Sequence, residues 1–204
     1  MDRPGKIVCV GRNYRAHAEE MGNEVPAEPL LFLKPPSSVI PAGAAIELPP
    51  DAGRVDFEGE LGIVIGATLR RASPEACALG VRGIVAANDV SARDWQKHDS
   101  QWARAKGSDT FLPLGEESPA PSDLGSLTIV SRLNGEERQR ARLSELVFPV
   151  PALLSYITKY ITLEPGDLVL TGTPAGVAAL SPGDVVEVEI VGYSIVRSPV
   201  VAGA

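Results

Sequence analysis

The chain has 204 residues, with 19 Lys and Arg against 26 Asp and Glu, a formal net charge of −7; that length suits one domain with a sizeable core. Hydrophobic residues make up 44% and charged residues 22%, which excludes disorder as the main state. The acidic balance argues against a nucleic-acid or anionic-membrane surface, and no apolar run is long enough to span a bilayer. The opening MDRPGKIVCVGRNY has no signal-peptide apolar region. Cys9 and Cys77 stand far apart without C-x-x-C spacing, against a disulfide framework or zinc knuckle. The expectation is a cytoplasmic protein with reduced thiols.

The 20 Gly and 18 Pro are spread along the chain, and breakers between short apolar runs favour strands joined by many turns. Residues 6–10 (KIVCV) read as a buried strand. Residues 13–21 read as a short helix with Asn13 as N-cap. An apolar run at 30–33 stops at Pro35-Pro36. Residues 57–65 (FEGELGIVI) alternate: Phe57, Gly59, Leu61, Ile63 and Ile65 on one face, Glu58, Glu60, Gly62 and Val64 on the other. Residues 83–90 form another apolar strand, and 91–97 a helical turn. A strand at 127–133 and its successor form a hairpin about Asn134-Gly135. Residues 149–161 are the best helix. Strands at 168–171 and 185–190 each follow a Gly-Asp turn. The sum is one α+β, strand-dominated domain over 1–204, without the rhythm of a doubly wound sheet.

Glu58 and Glu60, two apart on a strand, project from one face. Asp89, at the end of the 83–90 strand, is a third oxygen donor. Adjacent carboxylates repel, and a shared hard cation such as Mg2+ or Mn2+ relieves that repulsion. By spacing alone a solvated strand face is the commoner outcome for E-x-E. His17 and Glu20, three apart on a helical turn, can meet, and a carboxylate orients an imidazole as a general base; an isolated H-x-x-E is more often a surface pair. His98 sits in a polar stretch and reads as surface. Lys106 suits an anionic substrate group or an enolate, though loop lysines are commonly solvated. Arg93 and Gln96 fall on one side of a helical turn, suited to carboxylate and carbonyl contacts or to plain solvation. Thr171 to Thr173 offers hydroxyls and backbone N–H groups, or is an ordinary turn. No P-loop, dinucleotide fingerprint or nucleophile elbow occurs.

Taken in order, the stretches GRNYRAHAEEM, FLKPPSSVI, GRVDFEGELGIVIG, NDVSARDWQ, AKGSDTFLPLG, LVLTGTPAGV and GDVVEVEI resemble the fumarylacetoacetate hydrolase family, its small single-domain members in particular. The resemblance implies a mixed β-roll fold, a homodimer and Mg2+ or Mn2+ held by Glu58, Glu60 and Asp89. It implies a His17–Glu20 dyad, an active-site Lys106, and substrate contacts from Arg93, Gln96 and Thr173. Ser108 departs from the pattern, standing where many relatives carry an aromatic residue, which points to a wider pocket or a looser loop.

The implied reaction is hydrolysis of a C–C bond in a small 2,4-dioxo acid of the acylpyruvate type. His17 takes a proton from water, the hydroxide attacks the 4-oxo carbon, and the metal stabilises the departing pyruvate enolate. Oxaloacetate decarboxylation shares that enolate, as does a 2-hydroxyhepta-2,4-diene-1,7-dioate isomerase or decarboxylase of aromatic catabolism. A catalytically weak, metal- and ligand-binding relative is the alternative of another class. The short polar segment at 13–24, around His17, is expected to act as a lid.

Overall fold

The computed structural model describes residues 3–203. An eight-stranded mixed sheet runs, in spatial order, Leu30–Lys34, Ile7–Gly11, Leu168–Leu170, Gly59–Ile65, Val81–Asn88, Leu112–Leu114 and Val39–Pro41, with Ser118–Pro119 added beside Val81–Asn88. A five-stranded sheet runs Glu136–Arg142, Thr128–Leu133, Val185–Ile190, Ser194–Ala202 and Ile46–Leu48. The main core lies between them. Leu61, Ile63, Ile84 and Ala86 from the first sheet meet Ile129, Val188, Ile190 and Val196 from the second. The opposite face of the first sheet is also buried: its own side chains Ile7, Cys9, Val64, Val85 and Leu170 pack together, with Phe32 and Val39 against them. Its central strands therefore bury both faces. Cys9 and Cys77 are buried and unpaired with each other, and among the described residues no helix is long and apolar enough to cross a membrane.

The expected strand at 57–65 is two strands. Val55–Phe57 belongs to a three-stranded sheet with Ser91–Ala92 and Ala178–Ala179, and Gly59–Ile65 to the large sheet. Side chains break the ladder at Glu58. The Glu58 N–H donates to Asn88 Oδ1 at 3.0 Å and the Gly59 N–H to Gln139 Oε1 at 3.0 Å. A Cβ on residue 59 would lie 2.0 Å from Ser131 Oγ, so glycine permits this approach of the second sheet. Within 59–65 the alternation holds, with Leu61, Ile63 and Ile65 in the main core and Val64 opposite.

The hairpin forms as expected: Asn134 (φ 54°) and Gly135 (φ 84°) both take the left-handed conformation of a tight two-residue turn between Thr128–Leu133 and Glu136–Arg142. The best helix is Val150–Thr158, which buries Leu153, Leu154 and Ile157. The first helix is shorter than expected, Arg15–Glu20, and Asn13 does not cap it; Tyr14 precedes it without a side-chain cap. The Asn13 amide instead ties three segments together. Its Nδ2 donates to Thr171 O at 2.8 Å and Phe148 O at 3.3 Å, and its Oδ1 accepts from the Phe148 N–H at 2.8 Å. The long strand Ser194–Ala202 was not expected. Its inward positions include Ser194 and Ser198 beside Val196 and Val200, and Pro199 interrupts it, so its apolar alternation is weak.

Candidate active site

The strand Gly59–Ile65 and the end of Val81–Asn88 are neighbours, and the Asp89 N–H donates to Glu58 O at 2.8 Å. This register brings Glu58, Glu60 and Asp89 together, with one carboxylate oxygen of each within 4.8 Å of the others. They are 5%, 1% and 0% exposed, so the solvated strand face is excluded. Three buried carboxylates this close require compensating cations.

Lys106, on the short helix Ala103–Gly107, places its Nζ 2.6 Å from Glu58 Oε2 and 2.6 Å from Asp89 Oδ2. Lys34, the last residue of its strand, donates to Asp89 Oδ1 at 2.7 Å and to the Lys106 carbonyl. Arg93, at the start of the helix Arg93–His98, lies 2.7 Å from Glu58 Oε1 through Nη1 and 2.8 Å from Asp56 Oδ2 through Nε. Its Nη1 also donates to Gln96 Oε1 at 3.0 Å, and its buried Nη2 has no partner among the described residues.

Glu60 differs from its neighbours. It accepts the Gly172 N–H at 2.6 Å and has no ion pair among the described residues. Burial first, then the charges of Asp89 and Glu58, push its carboxyl well above the usual range. Burial would raise Glu58 too, but Lys106 and Arg93 outweigh it and hold that carboxyl far below. The cluster thus has the donor set for a hard divalent ion and one carboxylate still lacking a cation.

His17 closes the other side. Its Nδ1 lies 3.2 Å from Glu20 Oε2, and Glu20 accepts the Gly176 N–H at 3.0 Å. His17 lines a cavity of about 310 Å3 with Glu58, Glu60, Asp89, Arg93 and Lys106, joined by Gln96 and Thr173. Glu20 stands behind His17. Thr173 Oγ1 accepts from Gln139 Nε2 at 2.8 Å. An apolar wall comes from Phe32 and Trp102, whose rings meet edge to face at 5.4 Å. Every expected site residue therefore gathers at one place, while His98 is exposed.

The family model for the fumarylacetoacetate hydrolase C-terminal domain matches residues 6–201. The chain belongs to this family. Among curated relatives, the mitochondrial oxaloacetate tautomerase FAHD1 of Arabidopsis thaliana is 42% identical over 199 residues, 94% of this chain and 89% of its own. Among solved structures, a 5-carboxymethyl-2-hydroxymuconate delta-isomerase from Mycobacterium smegmatis is 42% identical, with a TM-score of 0.92 over 99% of this chain and 80% of its own. A fumarylpyruvate hydrolase from Pseudomonas aeruginosa, in complex with Mn2+ and pyruvate, is 34% identical, with a TM-score of 0.88 over 98% of this chain and 90% of its own.

Ser108, expected to widen the pocket or loosen its loop, does not line the cavity; its Oγ donates to Arg104 O at 2.8 Å at the end of the helix. Sequence reasoning missed Lys34, Asp56 and Arg12. Lys34 carried a signal, a lysine ending an apolar run inside FLKPP. Asp56 continued the Glu58–Glu60 alternation and anchors Arg93.

Proposed function

We propose that this family member is a divalent-metal-dependent hydrolase that cleaves the C3–C4 bond of a small 2,4-dioxo acid of the acylpyruvate type. The observation that carries the reading is the pairing of His17 with Glu20 on the wall of the cavity whose floor is the carboxylate cluster. Glu58, Glu60 and Asp89 would hold Mg2+ or Mn2+, which when bound supplies a Lewis acid for the 2-oxo acid end of the substrate. With Nδ1 engaged by Glu20, His17 has Nε2 free to take a proton from water. The hydroxide adds to C4, the C3–C4 electron pair passes to C3, and a proton delivered there completes pyruvate; the other product is a carboxylic acid. Lys106 and Arg93 offset the charge that grows during this step. Phe32 and Trp102 keep bulk water from the cavity wall. The His17-bearing helix acts as the lid, and the reading carries with it a homodimer, which sedimentation would test.

A second reading, tautomerisation or decarboxylation of oxaloacetate, is favoured by the tautomerase name of the Arabidopsis relative. It needs the same floor and no attacking water. The test is pyruvate release from acetylpyruvate and from oxaloacetate, with enol-to-keto conversion of oxaloacetate followed alongside, each with and without Mg2+ or Mn2+. Metal-dependent release from acetylpyruvate supports the hydrolase. Turnover of oxaloacetate alone overturns it in favour of the second reading, and no turnover of either overturns both.

A further inference from the structure

We propose that Gln139 is a positioning residue: its side-chain amide turns the Thr173 hydroxyl proton into the cavity, toward an anionic oxygen of the bound ligand. This rests on the reading of the cavity as a 2-oxo acid site and adds a residue that does not itself line it. Gln139 lies on the strand Glu136–Arg142 of the five-stranded sheet and is 1% exposed. Its Oε1 accepts the Gly59 N–H at 3.0 Å, and its Nε2 donates to Thr173 Oγ1 at 2.8 Å and to Pro174 O at 2.7 Å. The partners fix the amide's orientation. A backbone N–H only donates and a carbonyl only accepts, so oxygen faces Gly59 and nitrogen faces Pro174 and Thr173. Thr173 Oγ1 is therefore an acceptor toward Gln139, and its own proton goes elsewhere. Among the described residues no acceptor receives that proton. Thr173 is 3% exposed and lines the cavity. A buried hydroxyl with an unspent proton on a cavity wall suits an anionic oxygen.

The backbone around Gln139 is shaped for this contact. Ser131 pairs with Gln139 but Arg132 pairs with Glu137, so Arg138 is the extra residue of a β-bulge, a device that re-aims side chains. The strand also meets the loop directly. A Cβ at Gly176 (φ 104°) would lie 1.9 Å from Arg138 O, so glycine permits the approach. The gripped loop serves other arms of the site as well. Its Gly172 N–H donates to Glu60 and its Gly176 N–H to Glu20, on either side of the two residues that Gln139 holds. A role confined to satisfying buried backbone would be met by the bonds to Gly59 and Pro174. The third bond, to a side chain on the cavity wall, is what gives Gln139 a hold on the ligand.

The test is a double-mutant cycle read by ligand affinity. Oxalate offers a metal ion two adjacent oxygens, as a 2-oxo acid does. It is titrated calorimetrically into the Mn2+-saturated wild type, Gln139→Met, Thr173→Val and the double variant. Thr173→Val is expected to weaken oxalate by about tenfold to a hundredfold, the range of a hydrogen bond to a charged group. Gln139→Met should weaken it by a similar factor when Thr173 is present, but by no more than about twofold in the Thr173→Val background. A purely structural Gln139 would lower the melting temperature and leave the affinity of the folded protein unchanged, or lower it equally in both backgrounds. Either result overturns the proposal, as does an unchanged affinity in Thr173→Val. Gln139→Asn, whose amide is one methylene shorter, takes the same place in the cycle if Gln139→Met does not fold. Failure of oxalate to bind the loaded wild type overturns the 2-oxo acid reading and the proposal together, which tells the two failures apart.

Discussion

The Gly172 N–H lies 2.6 Å from Glu60 Oε2 and is the polar partner this buried carboxylate has where its neighbours have ammonium and guanidinium groups. Glycine makes the contact possible. At φ 98° the chain turns its N–H toward Glu60, and a Cβ there would lie 2.8 Å from Asn13 Cβ and 3.3 Å from Val10 O. Backbone, not a cation, thus holds the third arm of the carboxylate cluster in place.

A pH dependence of metal-induced stability follows. Glu60 keeps its proton to higher pH in the folded chain than in the unfolded one. Its contribution to metal-free stability is complete below the ordinary carboxylate range and is lost as pH rises through its raised value. A divalent ion replaces that proton. The rise in melting temperature on adding Mn2+ should therefore be larger near about pH 8 than near about pH 5.5. Glu58 has the opposite sign, losing stability as pH falls through a depressed value far below that window. Scanning calorimetry at the two pH values decides it, and an equal rise at both would refute the raised Glu60.

Gly172→Ala should destabilise the metal-free protein by roughly 1–3 kcal/mol, from the strained φ and the contact with Asn13. It should also weaken Mn2+ binding, because the N–H no longer orients Glu60. Denaturant unfolding and a Mn2+ titration measure the two effects. Loss of stability with unchanged Mn2+ affinity would show that the N–H plays no part in metal binding.

Much of this site was legible because it depends on local pattern. The alternation in 59–65 placed Glu60 and Val64 opposite Leu61 and Ile63, and the spacing of His17 and Glu20 put them in contact. What escaped depends on distant partners. The break at Glu58 is made by Asn88 and Gln139, 30 and 80 residues away in sequence, and no local pattern contains them. Asn13 looked like a helix cap because caps and loop-tying amides use the same residue types; only the proximity of Thr171 and Phe148 distinguishes them. Lys34 is fully enclosed because Asp89 and the Lys106 carbonyl meet it from other parts of the chain.

The two buried lysines should respond differently to replacement by methionine. Lys106 bridges Glu58 and Asp89 on the cavity side, so Lys106→Met should cost about 3–5 kcal/mol without metal, much of it recovered with millimolar Mn2+. Lys34 lies behind Asp89 and does not line the cavity. Lys34→Met should cost a similar amount, about 3–5 kcal/mol, with little recovery, since an ion among the carboxylates cannot serve the Lys106 carbonyl. Denaturant unfolding with and without Mn2+ separates them; equal recovery in both variants would refute the distinction.

His17 and Glu20 test the hydrolytic step. His17→Ala removes the proposed acceptor of the water proton and should lower cleavage of a 2,4-dioxo acid by about 10²–10⁴-fold. Decarboxylation of oxaloacetate, in which CO2 departs and no water attacks, should fall far less. Glu20→Gln retains an acceptor for the Gly176 N–H but loses the charge that orients the imidazole, so its effect should be intermediate, about 10–100-fold. Neither variant removes a core contact, and melting temperatures within a few degrees of the wild type should accompany both. Single-turnover rates on the two substrates provide the comparison. Equal losses in both reactions would refute water activation by His17 and leave it a role common to both, such as proton transfer at C3.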